Sequence, residues 1–240
     1  MKPILQNLLD HLQEDYPVKR IEVCAHSTLV TSRFSGMAST IIGSQPHGEE
    51  LVSQAGYLLQ KTALELAAFS LSGNTLEAGI GLATINSLID PPPVNSEKIN
   101  VADLLAEKGK ERKIVLIGHF PFIPKLKRVA DTVWVIDLNP GEGEFSPSDA
   151  PRLLPEADIV AMTANTLITN AAEEYIRLCK STALKIMMGP STPMTPLLFD
   201  HGLDILAGVR ITDADLVHRF IAQGASFSQV RGVEKLTLLK

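Results

Sequence analysis

A histidine stands directly after a strongly apolar stretch near the middle of the chain. Residues 113–128 have the sequence KIVLIGHFPFIPKLKR, and the run 114–117 is typical of a strand buried on both faces. Gly118 ends that strand and His119 follows it. An imidazole can accept or donate a proton near neutral pH and can bind a metal ion. His119 is therefore a candidate catalytic residue, and a structural histidine held by a neighbouring loop is the alternative.

The residues around His119 suit a small ligand better than a dinucleotide. Phe120 offers an apolar wall on which a heteroaromatic ring could stack, and Pro121 restricts the backbone that follows. A dinucleotide-binding turn is rich in glycine so that backbone N–H groups can approach a pyrophosphate. This turn contains one glycine, Gly118, so the sequence does not predict an ordinary nicotinamide enzyme.

A second candidate group follows the next predicted strand, residues 133–136. Asp137 occupies the position where many folds of this kind bind a ribose hydroxyl, which makes an adenosine-containing ligand one option. Asn139 could form a hydrogen bond with the same ligand. The alternatives are a carboxylate that marks where the chain enters water and an Asn-Pro turn.

Two later loops supply hydroxyl, amide and backbone groups. The sequence TANT after the third predicted strand presents polar side chains, which could instead cap the following helix. The sequence GPST after the fourth could hold a phosphate or carboxylate with backbone N–H groups. It lacks the lysine of a P-loop, so nucleotide hydrolysis is not predicted. The candidate residues are Thr163, Asn165, Thr166, Gly189, Ser191 and Thr192.

A regular alternation of strand and helix patterns positions these loops. Strands are predicted at 114–117, 133–136, 159–162, 186–188 and 205–207, and helices at 101–107, 123–129, 171–180, 196–201 and 214–223. The connection 139–156 is rich in Pro, Gly, Ser and acidic residues and is predicted to be a long loop. Right-handed crossovers give a Rossmann-like parallel α/β sandwich with strand order 2-1-3-4-5. The four loops then meet at one edge of the sheet.

The first 92 residues predict a small α+β unit. Helical periodicity covers the first ~12 residues, strand patterns occupy 21–24, 28–31 and 37–42, and helical spacing returns at 51–71 with a break at Gly56. The sequence DPPP at 90–93 cannot continue a helix and forms a stiff spacer. We therefore predict two domains, residues 1–92 and 93–240.

A further helix is predicted shortly before that spacer. Asn74, with Glu77 three residues later, fits a helix N-cap with a capping-box partner. Glu77 is also a candidate catalytic carboxylate. Gly79 and Gly81 would each cost a helix ~1 kcal/mol relative to alanine, and we interpret them as points of close helix packing, with close approach of a ligand as the alternative.

The composition excludes several classes of partner. The 240 residues include 45% hydrophobic and 20% charged residues and carry a net charge of −5. Nucleic acids and anionic membranes favour basic surfaces, so neither is predicted as a partner. Cys24 and Cys179 are far apart in sequence and no CxxC spacing occurs, which indicates a reducing cytoplasm. No apolar run approaches the ~20 residues that a membrane span requires, and we expect a cytoplasmic protein.

Four stretches closely resemble a family of unknown function that is labelled as a heavy-metal chelation domain: GNTLEAGIGLATINSL, VLIGHFPFIPKL, LPEADIVAMTANTLITN and MGPSTPMTPLLFDHGLDILAGVRITD. The resemblance covers nearly the whole chain. It implies an enolase-N-terminal-like α+β domain, a Rossmann-like domain and a pocket between them. The residues that it implies for this pocket are Asn74, Glu77, Gly118, His119, Phe120, Thr163, Thr166, Gly189 and Ser191. The implied role, in metal homeostasis, is making or handling pterin- or siderophore-like chelators.

Three functional hypotheses follow. The leading one is an enzyme that acts on a small anionic or heteroaromatic metabolite in the pocket. The second is a non-catalytic binding protein for a metal–chelate complex. The third is a cofactor-dependent enzyme such as a methyltransferase, which the lack of a Gly-rich first loop disfavours. Because the cysteines are isolated, we predict weak metal binding without a chelator. The cofactor, the metal ligands and homo-oligomerisation stay open.

Overall fold

The computed structural model describes residues 2–43, 50–92 and 99–240. The structure is mixed α/β, with a three-stranded antiparallel sheet and a separate six-stranded sheet. The N-terminal part begins with helix α1 (Ile4–Asp10), followed by strands β1 (Arg20–Val23), β2 (Ser27–Thr31) and β3 (Ser35–Ser39). These strands pair in the order β1-β2-β3. The first helix and the three strands are confirmed close to their predicted positions.

The helical spacing of residues 51–71 predicted a helical region with a break at Gly56. The structure instead divides this region into short segments. Helix α2 (Ala63–Ala67) lies between the 3-10 segments Leu58–Gln60 and Ala68–Leu71. It begins where it does because Thr62 and Glu65 form a capping box, each side chain bonding the other's backbone N–H.

Helix α3 (Thr75–Leu88) is the central helix of the N-terminal part. Its predicted N-cap is confirmed, because Asn74 Oδ1 accepts the Leu76 N–H at 2.9 Å. The capping-box role of Glu77 is wrong. The Asn74 N–H donates to Ser72 Oγ at 3.1 Å, and Glu77 bonds other residues. Close packing of the helix glycines is confirmed, since a Cβ on Gly81 would lie 1.9 Å from the Ser70 nitrogen.

The six-stranded sheet follows the predicted strand order for its five parallel strands. They are β4 (Lys113–Ile117), β5 (Thr132–Ile136), β6 (Ile159–Thr163), β7 (Leu184–Met188) and β8 (Ile205–Ile211). The order β5-β4-β6-β7-β8-β9 confirms 2-1-3-4-5. The unpredicted sixth strand, β9 (Val233–Leu239), pairs antiparallel to β8 along its length. It was not predicted because it contains charged residues and no β-branched run. Charged side chains are common in strands at a sheet edge.

Among the described residues, seven helices connect or flank these strands: α4 (Val101–Lys108), α5 (Ile123–Leu126), α6 (Ala150–Leu153), α7 (Asn165–Ile168), α8 (Ala172–Leu178), α9 (Leu197–Asp200) and α10 (Ala214–Ala222). The long connection 139–156 is not wholly a loop, because it contains α6 and two 3-10 turns. Ser146 and Asp149 form a capping box at the start of this helical stretch, which a count of Pro, Gly and Ser does not detect.

The two faces of the sheet belong to two different apolar clusters. Successive residues of a strand point to opposite faces. Accordingly, Ile114 and Leu116 pack with α4 and α5, whereas Val115 and Ile117 share a core with α1 and α3. The same cluster includes residues of α6, α8 and α9. The N-terminal part is therefore joined to the helices on one face of the central sheet by a common core.

In the part of the chain that the structure describes, the strands of the central sheet all lie within residues 113–239. Pro93 to Asn95, at the predicted domain border, lie outside the described residues, and the division into 1–92 and 93–240 stays a prediction. Across the parts of the chain that the structure describes, no helix combines the length and apolar character needed to cross a membrane.

Candidate functional site

The carboxyl ends of β4, β5 and β6 surround a cavity of about 370 Å³. It lies where the strand order reverses, the usual ligand position in an open α/β sheet. Three of the four candidate loops line it. Their contributions are Gly118 and His119 after β4, Asp137 and Asn139 after β5, and Thr163, Asn165 and Thr166 at and after β6. Apolar walls come from Ile41, Ile117, Ile136, Leu138 and Pro147.

Gly118 is required for the loop after β4 to pass close to β6. Its φ of +97° lies in the region that side-chain-bearing residues rarely adopt. A Cβ at this position would also lie 2.9 Å from the Thr163 methyl group. The glycine therefore lets the two strand ends meet with no side chain between them.

His119 lies beside a carboxylate that the sequence did not single out. Its Nδ1 is 3.1 Å from Glu144 Oε1, and the exposed fractions are 66% for the histidine side chain and 15% for the glutamate. The other oxygen, Glu144 Oε2, accepts the Gly141 N–H at 2.9 Å. The carboxylate is thus held by its own loop and faces the imidazole.

The loop that carries Glu144 is fixed to the end of β5. The Phe145 N–H donates to the Val135 carbonyl at 2.8 Å, and the Asp137 N–H donates to the Phe145 carbonyl at 3.0 Å. Asp137 is also ordered, because its Oδ1 accepts the Asn139 N–H at 2.9 Å. This loop therefore presents two carboxylates in fixed places, one towards His119 and one in the cavity lining.

The residues after β6 form hydrogen bonds that order the opposite wall. Thr166 Oγ1 donates to the Thr163 carbonyl at 2.8 Å, and Thr163 Oγ1 accepts the Asn165 N–H at 3.3 Å. Thr166 thus stabilises the local turn as well as lining the cavity. Ala164 is the N-cap of α7 and makes no side-chain cap hydrogen bond. Capping of this helix by a polar N-cap side chain is therefore not seen, and the ligand-binding interpretation of the loop stays a prediction.

Asn165 is connected to the N-terminal part through Ser191, which is 1% exposed. Ser191 Oγ accepts the Ser39 N–H at 2.9 Å and lies 3.1 Å from Asn165 Oδ1. The Ser191 carbonyl accepts from Asn86 Nδ2 at 3.1 Å. The fourth candidate loop therefore acts at the cavity indirectly, by joining β3 and α3 to a lining residue.

Two polar residues of the lining, Thr169 and Tyr175, were missed from sequence, as were its apolar residues. Thr169 lies one helical turn beyond Thr166, so its position on the same face was available from the spacing. Tyr175 comes from α8 and is buried. Burial, followed by the charge of Glu174, raises the pKa of its hydroxyl. Tyr175 could not be assigned to the cavity in the same way, because the local sequence of a helix residue does not show whether its side chain lines a cavity.

Several predicted site residues do not line the cavity. The Phe120 ring stacks on Phe122, with centroids 5.3 Å apart. It packs against the apolar cluster on the sheet face that α4 and α5 cover. Gly189 lies near the site, since a Cβ there would be 3.8 Å from Thr163 Oγ1. Thr192 is buried, and its Oγ1 meets no hydrogen-bond partner among the described residues.

Asn74 and Glu77 also stand apart from the lining. The Asn74 amide donates to the Leu51 carbonyl at 2.6 Å. Glu77 accepts from the Ser53 N–H, the Ser53 hydroxyl and the Ser72 hydroxyl at 2.8, 2.7 and 2.6 Å. Burial acts to raise the pKa of Glu77, but these hydrogen bonds outweigh it and the pKa is lowered. The contacts describe a carboxylate that fastens the 51–53 segment to α3.

The cysteines do not fit a soft-metal site. Burial raises the pKa of the Cys179 thiol to about 11, and burial followed by the charge of Glu22 raises that of Cys24. Soft metals bind the thiolate, which these surroundings disfavour. Within residues 2–43, 50–92 and 99–240, no group of three or more His, Cys, Asp and Glu residues could hold a metal ion. Weak direct metal binding stays a prediction.

The fold and sequence match known proteins over nearly their whole length. An uncharacterised protein from Methanocaldococcus jannaschii is 25% identical over 243 residues, which span 95% of this chain and 92% of the relative. Crystal structures of DUF364 proteins of unknown function from Desulfitobacterium hafniense and Pyrococcus horikoshii are similar, with TM-scores of 0.86 and 0.80 and identities of 24% and 18%. Each similarity covers 99% of this chain and 98% of the solved one.

Family models account for both parts of the chain. Residues 5–89 match DUF4213 and residues 100–240 match DUF364, and both models bear the description "Putative heavy-metal chelation". The second match alone covers more than half of the sequence. The chain therefore belongs to the DUF364 family.

Proposed function

We propose that the protein is an enzyme that uses His119 for proton transfer on a small metabolite bound in the cavity at the ends of β4, β5 and β6. The metabolite class is anionic or heteroaromatic, as in pterin- or siderophore-like metal chelators. The observation that carries this proposal is the pairing of His119 with Glu144 at 3.1 Å beside the cavity.

The pairing supports acid–base chemistry for a geometric reason. A carboxylate beside Nδ1 favours the tautomer of the neutral ring with its proton on that nitrogen. Nε2 is then the nitrogen that exchanges a proton with the ligand. Because Gly141 holds Glu144 from the other side, the carboxylate can orient the ring without rearranging first.

A second candidate function is non-catalytic binding of a metal–chelate complex. It is favoured by the exposure of His119, whose side chain is 66% accessible. An accessible imidazole can complete the coordination of a metal ion that a chelator already holds. In this case the metal is cargo, and the cavity binds the organic part of the complex.

The test compares wild type with His119→Gln and with His26→Gln as a matched control. His26 is exposed in the turn between β1 and β2. Each protein is incubated with pterins, nucleosides, catecholates and hydroxamates, with and without Fe³⁺ or Zn²⁺. Mass spectrometry measures turnover and calorimetry measures binding.

We expect His119→Gln to lower turnover by about 100-fold or more and to leave binding nearly unchanged, with His26→Gln equal to wild type. Equal turnover in His119→Gln and wild type would refute the proton-transfer role. Binding without turnover by wild type, strengthened by the metal and weakened in His119→Gln, would instead support the metal–chelate binding protein.

A further inference from the structure

The charges around the cavity restrict what it can bind. Among the described residues that line it, Asp137 carries a carboxylate and none is lysine or arginine. The nearby Glu144 adds a second carboxylate beside His119. A phosphate or carboxylate ligand would meet like charge here without the cationic side chains that bind such groups. The lining therefore disfavours an anionic ligand and favours one that supplies hydrogen-bond donors.

Asp137 can receive such donors. Its Oδ1 accepts the Asn139 N–H at 2.9 Å, and the hydrogen bonds of the described residues leave Oδ2 without a donor. A carboxylate oxygen is a strong acceptor for hydroxyl groups, and one oxygen can accept from two of them. Asp137 is thus suited to a pair of neighbouring hydroxyl groups on a ligand.

Asn165 supplies the complementary donor across the cavity. Ser191 Oγ accepts the Ser39 N–H, so its one proton remains to be donated. Asn165 Oδ1, at 3.1 Å, is nearer to it than Ser39 Oγ, at 3.4 Å. The oxygen of the Asn165 amide is then occupied, and the Nδ2 group is left to donate to a ligand. A carbonyl or ring nitrogen of a heteroaromatic compound is the matching acceptor.

The geometry points to a cavity that takes an uncharged heteroaromatic compound with vicinal hydroxyl groups, in which Asp137 binds the hydroxyls and Asn165 Nδ2 binds a ring acceptor. This inference rests on the proposed function, whose ligand class it narrows. The apolar residues Ile41, Ile117 and Ile136 give the ring a surface to pack on, and the volume of about 370 Å³ lies within the usual range for small-ligand sites. A ribonucleoside and a polyhydroxyalkyl pterin share this chemistry.

Calorimetry with matched ligand pairs tests the inference. The probes are adenosine against 2′-deoxyadenosine, which lacks one of the two vicinal hydroxyls, and neopterin against 6-methylpterin, which lacks the hydroxylated part of the side chain. Adenosine 5′-phosphate tests the exclusion of anions. The proteins are wild type, Asp137→Asn and the control Asp131→Asn. Asparagine at position 137 retains an Oδ1 that can accept the Asn139 N–H. Asp131, the control, is an exposed carboxylate next to the other end of β5.

We expect the diol-bearing member of at least one pair to bind wild type about tenfold to hundredfold more tightly than its partner, as for loss of a hydrogen bond to a charged group. The pair that shows this preference identifies the ligand source. Asp137→Asn should reduce the ratio to about a few-fold, because charge-assisted hydrogen bonds are roughly twice as strong as neutral ones. Asp131→Asn should leave the ratio unchanged, and adenosine 5′-phosphate should bind no more tightly than adenosine.

Equal affinities within both pairs, failure of both diol-bearing probes to bind, or tighter binding of the phosphate would overturn the inference. A preference that survives in Asp137→Asn would overturn the role of Asp137. These outcomes are separate from those for the proposed function, which is judged by turnover. A preference for the diol-bearing probe without turnover would refute the proposed enzymatic function and leave the ligand class intact. Turnover of an anionic compound without a diol preference would refute the ligand class and leave the enzymatic function intact.

Discussion

Replacing Gly81 with alanine tests how α3 is packed within the N-terminal part. A Cβ at this position would lie 1.9 Å from the Ser70 nitrogen and 2.5 Å from the Phe69 carbonyl carbon. Ordinary contact begins at 3.4 Å, so the backbone at Ser70 would have to retreat by about 1.5 Å in a close-packed interior. Gly79, two residues earlier, is a matched control, because among the described residues a Cβ there meets only the Ser39 carbonyl oxygen, at 3.2 Å.

The two substitutions share one contribution and differ in the other. Each gains about 1 kcal/mol from the higher helix propensity of alanine. Overpacking costs about 1–3 kcal/mol, and more where backbone must move. For Gly81→Ala the contact is with backbone, so we expect a net loss of at least about 2 kcal/mol in the free energy of unfolding. For Gly79→Ala the contact is slightly short, and we expect a change within about 1 kcal/mol of wild type in either direction.

Urea unfolding monitored by circular dichroism measures the change in the free energy of unfolding. A shift of the midpoint urea concentration with an unchanged m-value reports a change in stability. Failure of Gly81→Ala to fold agrees with the expectation, provided that Gly79→Ala folds. Equal midpoints for the two variants, or a more stable Gly81→Ala protein, would show that the contact between α3 and the 68–71 segment is looser than described.

Three further predictions concern polar groups. Ser191→Ala removes the acceptor of the Ser39 N–H, and we expect a loss of about 1–3 kcal/mol in urea unfolding; no loss would show that the contact is dispensable. Asp158→Asn should cost roughly 1 kcal/mol at pH 7, because Lys180, foremost, lowers the pKa of Asp158 in the folded protein. A lowered pKa stabilises the fold above the unfolded value of 3.8, so the difference from wild type should shrink as the pH falls below that value; a difference that grows would contradict the sign. Calorimetry should find only weak zinc or copper binding without a chelator, and tight stoichiometric binding that a Cys179→Ser or Cys24→Ser substitution abolishes would contradict this.

The central sheet was predictable because its signals are local and repeated. Runs such as 114–117 and 159–162 are apolar and partly β-branched, and turn residues follow each of them. The handedness of crossovers then leaves few possible strand orders. The same rule gathers the strand-end loops at one edge, which explains why Gly118, His119, Asp137 and Thr163 were assigned to one site. Strand β9 was not predicted, because an antiparallel edge strand needs no continuous apolar run.

The position of individual side chains was less predictable. Phe120 follows a glycine with positive φ, and no local rule states which face of the sheet the next aromatic ring will contact. In the structure it pairs with Phe122 on the face that α4 and α5 cover. Glu144 lies in a segment rich in Gly and Pro, and its position depends on hydrogen bonds between Phe145 and β5. Long-range backbone contacts of this kind leave no trace in residue spacing.

Ser191 has structural contacts that the sequence did not predict, and its role in ligand binding stays a prediction. The GPST sequence suggested an anion-binding loop, yet its buried serine bonds the backbone of β3 and the side chain of Asn165. The Ser191 carbonyl is bonded in addition by Asn86 of α3. Two elements of the N-terminal part therefore fix a loop whose serine orients a residue of the cavity wall. Because that wall depends on contacts from β3 and α3, the N-terminal part serves the site mainly by holding its polar groups in place, while Ile41 alone among the described N-terminal residues lines the cavity.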